Sequence, residues 1–217
     1  MSDVVSIEGD GAEVARQRLE ATIAAGGVAV FPADGLYGLA CDPLRADAIA
    51  RIHRIKGRED SKPSAVLFFS PLILRELMSS LSELSRQALA ALLPGPVTVV
   101  VANPERRYAL ACGSDPDRLG IRLIESPLTS VATPLFQTSA NFAGEPATSS
   151  FEEIPESIVT AVDLAIDGGP LSGEPSTVVD VSGLERGEPW RVLRQGGMKE
   201  ADLAERLSPL QPTRPRG

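Results

Sequence analysis

The stretch RIHRIKGREDSK, Arg51 to Lys62, sets five cationic side chains, Arg51, Arg54, Lys56, Arg58 and Lys62, inside a chain of 217 residues with a formal net charge of −8. Cations gathered this way neutralise anions, so the chemistry they suit is the binding or transfer of phosphate and carboxylate groups. The acidic total argues against a protein that coats nucleic acid, which needs a broad basic surface, yet it leaves room for a small cationic pocket. Arg51 and Arg54 fall on what reads as a solvated helix face. Lys56 and Arg58 fall at the end of that helix and just past it. His53 is the only histidine, and Cys41 and Cys112 are the only cysteines. That count argues against a structural zinc site, a disulfide framework or a histidine-based triad, and no metal ligands are assigned. His53 reads as a packing residue among apolar helix positions, and Cys41 as a small buried residue. A G-x-x-x-x-G-K-[ST] loop is absent, and GDGAEV lacks the third glycine of a dinucleotide fingerprint.

These residues need a frame, and 43% hydrophobic content over this length suits one compact domain. Ala15, Leu19 and Ile23, followed by Gly26-Gly27, predict a helix over about 13–25. VAVF (28–31) predicts a buried strand, ADGLYGLACDP a turn, and Ala48, Ile49, Ile52 and Ile55 the apolar stripe of the next helix. Further strands are expected at 64–69, 97–101, 119–123, 135–139, 176–181 and 190–194, with helices at about 72–79, 82–92, 126–133 and 199–207. Strands and helices without strict alternation predict an α+β domain with a mixed sheet. The domain is expected over 1–207, with SPLQPTRPRG (208–217) a disordered proline-rich tail. No apolar run approaches the roughly 20 residues of a bilayer span, which predicts a soluble, cytoplasmic protein with no membrane partner.

Several loops after strands carry glycines and small polar residues whose backbone N–H groups and hydroxyls suit a ligand. Taken in order, FPADGLYGLACDP (31–43), IKGREDSKP (55–63), LPGPVTVV (93–100), GIRL (120–123), TSANFAGEPATS (138–149), PSTVVD (175–180) and VLRQGG (192–197) resemble the YrdC/Sua5 family, the threonylcarbamoyl-AMP synthases of tRNA modification. The resemblance spans about 13–197 and matches the short form, without the C-terminal domain of the longer Sua5 branch. It implies a single YrdC-like domain, a twisted mixed sheet flanked by helices with an open cationic cleft. The implied reaction takes L-threonine, bicarbonate and ATP to threonylcarbamoyl-adenylate and pyrophosphate, with Mg²⁺. Its product passes to the tRNA-threonylcarbamoyl transferase machinery, for t6A at position 37 of tRNA, with at most weak direct RNA binding.

The same resemblance implies the site residues. Lys56 and Arg58 are the catalytic cations; Arg58, Lys62, Arg118, Ser139, Asn141, Ser149 and Arg194 hold ATP; Gly35, Leu67, Arg122 and Ser176 hold the threonine carbamate. Two departures from the family pattern bear on the amino acid. A proline-threonine-acidic-threonine loop here reads PADG, with Ala33 and Gly35 in place of hydroxyl residues, and Leu67 stands where many relatives carry histidine. Threonines restored at 33 and 35 are expected to tighten threonine use, provided that Gly35 is not needed for a left-handed backbone. Tyr37 fits core and cleft wall equally. Two other readings remain: a related enzyme that forms a carbamoyl-adenylate or uses another acceptor, and a non-catalytic RNA-binding or ribosome-assembly protein.

Overall fold

Successive residues of Val28-Ala29-Val30-Phe31 enter different apolar clusters, Val28 and Val30 one, Ala29 and Phe31 the other. This is the period of two expected of a strand buried on both faces. In the computed structural model, which describes residues 3–59, 62–128 and 131–210, the same division runs through the whole sheet. Its strands among these residues are β1 (Asp3–Ser6), β2 (Ala29–Pro32), β3 (Tyr37–Cys41), β4 (Ala65–Phe68), β5 (Val97–Ala102), β6 (Arg118–Leu123), β7 (Leu135–Ser139), β8 (Leu164–Asp167), β9 (Thr177–Asp180) and β10 (Arg191–Arg194). They pair in the order β1-β8-β2-β3-β7-β4-β6-β5-β9-β10, with parallel and antiparallel neighbours mixed, so the expected α+β class with a mixed sheet holds.

Helices follow the apolar spacing. After α1 (Ile7–Asp10), α2 (Ala12–Ala24) buries Ala15, Leu19 and Ile23, and the chain leaves it through Gly26 at φ 80°. On α3 (Ala46–Lys56), Ala48, Ile49 and Ile52 are buried, and left-handed Gly57 ends the helix. Ser70 caps α4 (Pro71–Met78) and Ser82 caps α5 (Glu83–Leu92). Two more helices, α6 (Glu156–Ala161) and α7 (Glu200–Leu207), complete the set. One sheet face carries the larger cluster, to which α3, α4, α5 and α7 contribute. The opposite face is covered by α2 only over part of its width. Across β5, β6 and β9 that opposite face stays open, and the side chains there at alternate positions line a cavity.

Three expectations need correction, and three elements escaped the sequence reading. Residues 126–133 form no helix among those described: Leu128 N–H donates to the Ser126 hydroxyl (3.1 Å) and Val131 N–H to the Leu128 carbonyl, a turn whose apolar residues close the second cluster. YGLAC, read as a turn for its glycines, is central strand β3. Strands β1 and β8 and helix α6 lacked a distinct pattern, because a four-residue strand is too short for its period to stand out. The expected tail is ordered over Ser208–Leu210, a 3-10 turn whose Leu210 packs on the larger cluster; the rest of it, 211–217, lies outside the described residues. No helix among the described residues is long and apolar enough to cross a membrane.

Candidate functional site: an arginine-lined cavity on the open sheet face

Strand alternation puts Arg118, Gly120 and Arg122 of β6 on the open face. Thr98 and Val100 of β5, Val178 of β9 and Ser176 just before it lie alongside. Arg194 of β10 and Arg58, just past the end of α3, complete a wall of four guanidinium groups around a cavity of about 390 Å³. That size suits a small-molecule ligand.

Each arginine is held, and none has all its donors taken at close range. Arg58 donates to the Thr138 hydroxyl (2.8 Å) and the Pro63 carbonyl (2.6 Å). Arg122, almost fully buried, donates to Gln137 Oε1 (3.0 Å) and more distantly to the Ala33 carbonyl and Asp34 carboxylate (3.4 Å each), while its buried Nε–H has no hydrogen-bond partner. Arg194 donates to the carbonyl and hydroxyl of Ser176 (2.8 and 3.1 Å), and that hydroxyl also meets the Thr98 hydroxyl at 2.9 Å. Burial makes these charges costly and lowers the basicity of Arg58, Arg122 and Arg194. Arg122 is brought to about 10, by burial first; the Asp34 carboxylate opposes the shift and the Arg194 charge adds to it.

The structure brings Gly35, Arg58, Arg118, Arg122, Ser139, Ser176 and Arg194 together around the cavity. Five expected site residues lie elsewhere. Lys56 is buried beneath the 139–145 loop, its Nζ donating to the Ser139 carbonyl, the Asn141 carbonyl (2.6 Å) and Asn141 Oδ1 (3.3 Å). Asn141 spends its amide on that lysine and on the Phe142 and Glu145 carbonyls (2.9 and 2.6 Å), so it brackets its own loop. Ser149 sits beside Gly173, and its carbonyl accepts from Leu171 N–H. Leu67 pairs in register with Arg122, but it is sealed in the second apolar cluster and presents no surface. Lys62 is exposed and lies outside the cavity wall.

Two further readings change. Arg51 is not on a free solvated face: it donates to the Asp163 carboxylate and the Ala161 carbonyl (2.6 Å each), tying α3 to the turn before β8. In the PADG loop the left-handed residue is Asp34, at φ 77°, and not Gly35. Gly35 is required for space instead, since a Cβ there would sit 2.1 Å from the Glu174 carbonyl oxygen. The proposed threonine at 35 therefore has no room. Tyr37 proves to be both core and cavity wall: its residue lines the cavity, while the side chain is fully buried, edge-on to Phe151, with its hydroxyl donating to the Gly169 carbonyl at 2.7 Å. His53 is buried against Phe136, as a packing residue should be. Thr98, Gln137 and Thr138 escaped the sequence reading although they hold Ser176, Arg122 and Arg58. A run of polar residues, Gln137 to Ser139, closing a strand that begins Leu-Phe was the available signal.

Fold and site together define a mixed-sheet domain with an arginine-lined pocket. The family model Sua5_yciO_yrdC, described as "Telomere recombination", matches residues 21–196. The threonylcarbamoyl-AMP synthase of Xanthomonas campestris pv. campestris (strain B100) is 30% identical over 184 residues, 81% of this chain and 91% of that one. The chain belongs to the Sua5/YciO/YrdC family. Its fold is that of E. coli YciO (TM-score 0.77, 24% identity, 94% of this chain and all of that one). The P. abyssi Sua5 complexed with L-threonine also shares it (TM-score 0.80, 24% identity), and the present chain spans 97% of its own length but 62% of that protein.

Proposed function

We propose that this chain is a threonylcarbamoyl-AMP synthase, which joins L-threonine, bicarbonate and ATP into threonylcarbamoyl-AMP and pyrophosphate. The observation that carries the reading is the convergence of Arg58, Arg118, Arg122 and Arg194 on one cavity. Guanidinium groups short of partners, the buried Arg122 above all, are stabilised by an anion that reaches them, and a triphosphate together with an amino-acid carboxylate supplies that charge.

The reaction asks a carbamate oxygen to attack the α-phosphorus while pyrophosphate departs. Two anions must meet and a more highly charged leaving group must form, so fixed cations are the main help a protein can give. In this assignment Arg58, Arg118 and Arg194, with Ser139, hold the nucleotide phosphates. Arg122, the most buried of the four, takes the carboxylate or carbamate of the amino acid with Ser176. Lys56 acts at one remove, by holding the backbone of the loop that begins at Ser139.

No three His, Cys, Asp or Glu side chains converge on a metal position among the described residues. A magnesium ion is therefore assigned to the triphosphate, as part of the substrate. The same proposal includes a cytoplasmic location, transfer of the product to the tRNA-modifying transferase, and at most weak direct RNA binding.

Pyrophosphate release from ATP, measured with and without threonine and bicarbonate, tests the reading. Release that requires both is the expected result. Release that ignores threonine but responds to carbamoyl phosphate would move the chain to the carbamoyl-adenylate-forming enzymes.

A further inference from the structure

Asp180 is a buried carboxylate, 3% exposed, at the end of β9 on the open sheet face. In register it faces Val100 of β5 on one side and Arg191 of β10 on the other. Its Oδ1 accepts the Ser182 N–H (3.0 Å) and hydroxyl (2.6 Å). Oδ2 accepts two guanidinium groups, Arg191 at 2.9 Å and Arg118 at 2.5 Å. The arginine contacts come from opposite sides, because Arg118 belongs to β6, two strands away across β5. Its directly paired neighbour there is Ala102, whose methyl leaves the guanidinium a way over the strand.

We propose that Asp180 is the positioning residue for Arg118, fixing its guanidinium in the orientation that meets the nucleotide; this rests on the assignment of Arg118 to the ATP site. Asp180 grips Arg118 at Nη2 only. Nη1 reaches no closer than 3.9 Å to the Asp115 carboxylate, and the buried Nε–H has no hydrogen-bond partner. The fork is thus held at its tip while its remaining donors stay with a residue that lines the cavity. A carboxylate needed only for the fold is already satisfied by Ser182 and Arg191, so the grip on Arg118 is additional. A flexible arginine must lose rotamer freedom when its anion arrives, and a fixed one has lost it beforehand.

A double-mutant cycle separates positioning from support of the fold. Asp180→Asn keeps the shape and removes the charge; it is expected to lower kcat/KM for ATP by roughly 10- to 100-fold, as misplacement of a binding group does. In an Arg118→Ala background the same change should cost almost nothing further, because there is no longer a guanidinium to place. Losses that multiply in the double variant overturn the positioning role alone. Full activity in Arg118→Ala itself overturns the site assignment of Arg118 and the positioning role with it. If Asp180→Asn does not fold, Arg118→Lys in the intact frame makes the test. A lysine keeps the cation and loses the fork, so a loss as large as that of Arg118→Ala supports orientation, and full retention of activity overturns it.

Discussion

Lys56 and Arg122 of the cavity wall are both cations drawn out of water, and they differ in what the protein offers them. Lys56 faces three oxygen acceptors supplied by Ser139 and Asn141. Arg122 is as deeply buried, but it has one close partner, two at 3.4 Å and a buried Nε–H with none. A single residue separates Lys56 from Arg58, and that residue, left-handed Gly57, turns the chain between them, so one ends beneath the loop and the other in the cavity wall. A cation whose donors are taken holds the fold; one left short of partners is ready for an anion.

The largest effect expected from this contrast is on turnover. Arg58→Ala should lower kcat/KM for ATP by on the order of 100-fold, with a melting temperature near that of the parent, measured by steady-state pyrophosphate release beside a thermal melt. Lys56→Met should do the reverse of a cavity change. It leaves buried carbonyls without a donor and should cost about 2 kcal/mol of stability, seen as a fall of roughly 4–8 °C in Tm. A stable Lys56→Met enzyme that has lost only kcat would put Lys56 back among the catalytic groups.

The pH dependence sharpens the same comparison. Burial, and next the Arg58 charge, pull the Lys56 ammonium down from 10.5 to about 8. The unfolded chain keeps this proton up to the higher value, so between the two it binds more protons than the fold does. Stability of the parent relative to Lys56→Met is therefore lowest and flat below about 8, and rises with pH from there towards 10.5. Chemical denaturation of both proteins across that range is the measurement, and a parallel pair of curves would contradict it.

Gly35→Ala should have a smaller but visible effect, since the added methyl must push back the Glu174 backbone. We expect about 1–3 kcal/mol of destabilisation, the usual cost of overpacking, and a raised threonine KM as the loop at the cavity edge shifts. A variant that melts and turns over like the parent would mean that the loop yields freely. The smallest change is expected of Arg51→Ala, which loses a partly exposed ion pair with Asp163 and should cost about 0.2–1 kcal/mol with kcat unchanged. A large loss of turnover there would make the whole basic run one electrostatic patch and dissolve the contrast.

Much of the frame was legible because burial imposes a period. Leu19 and Ile23 on α2, Ile49 and Ile52 on α3 and the valines of β5 repeat at the spacing of their elements. Leu128 and Val131 misled, since two apolar residues a turn apart fit a helix and a packed loop equally. The site was legible in its motif blocks, and within them Arg58, Arg122, Ser139, Ser176 and Arg194 reach the cavity, as does Arg118 two residues before one of them. Lys56, Asn141 and Ser149 come from the same blocks and do not, because a motif names a residue type at a place without giving the direction of its side chain.

By itself the sequence determined the α+β class, the buried faces of most elements, the cationic character of the site and the family resemblance that pointed to its reaction. Each of these depends on local spacing or on residue types in order along the chain. Tertiary structure alone decided which cations are spent on the fold and which line the cavity. It also decided that Gly35 is there for clearance from Glu174, and that Arg118 reaches across β5 to Asp180. Those outcomes depend on distances between segments far apart in the chain, where about an ångström separates a hydrogen bond from an empty donor.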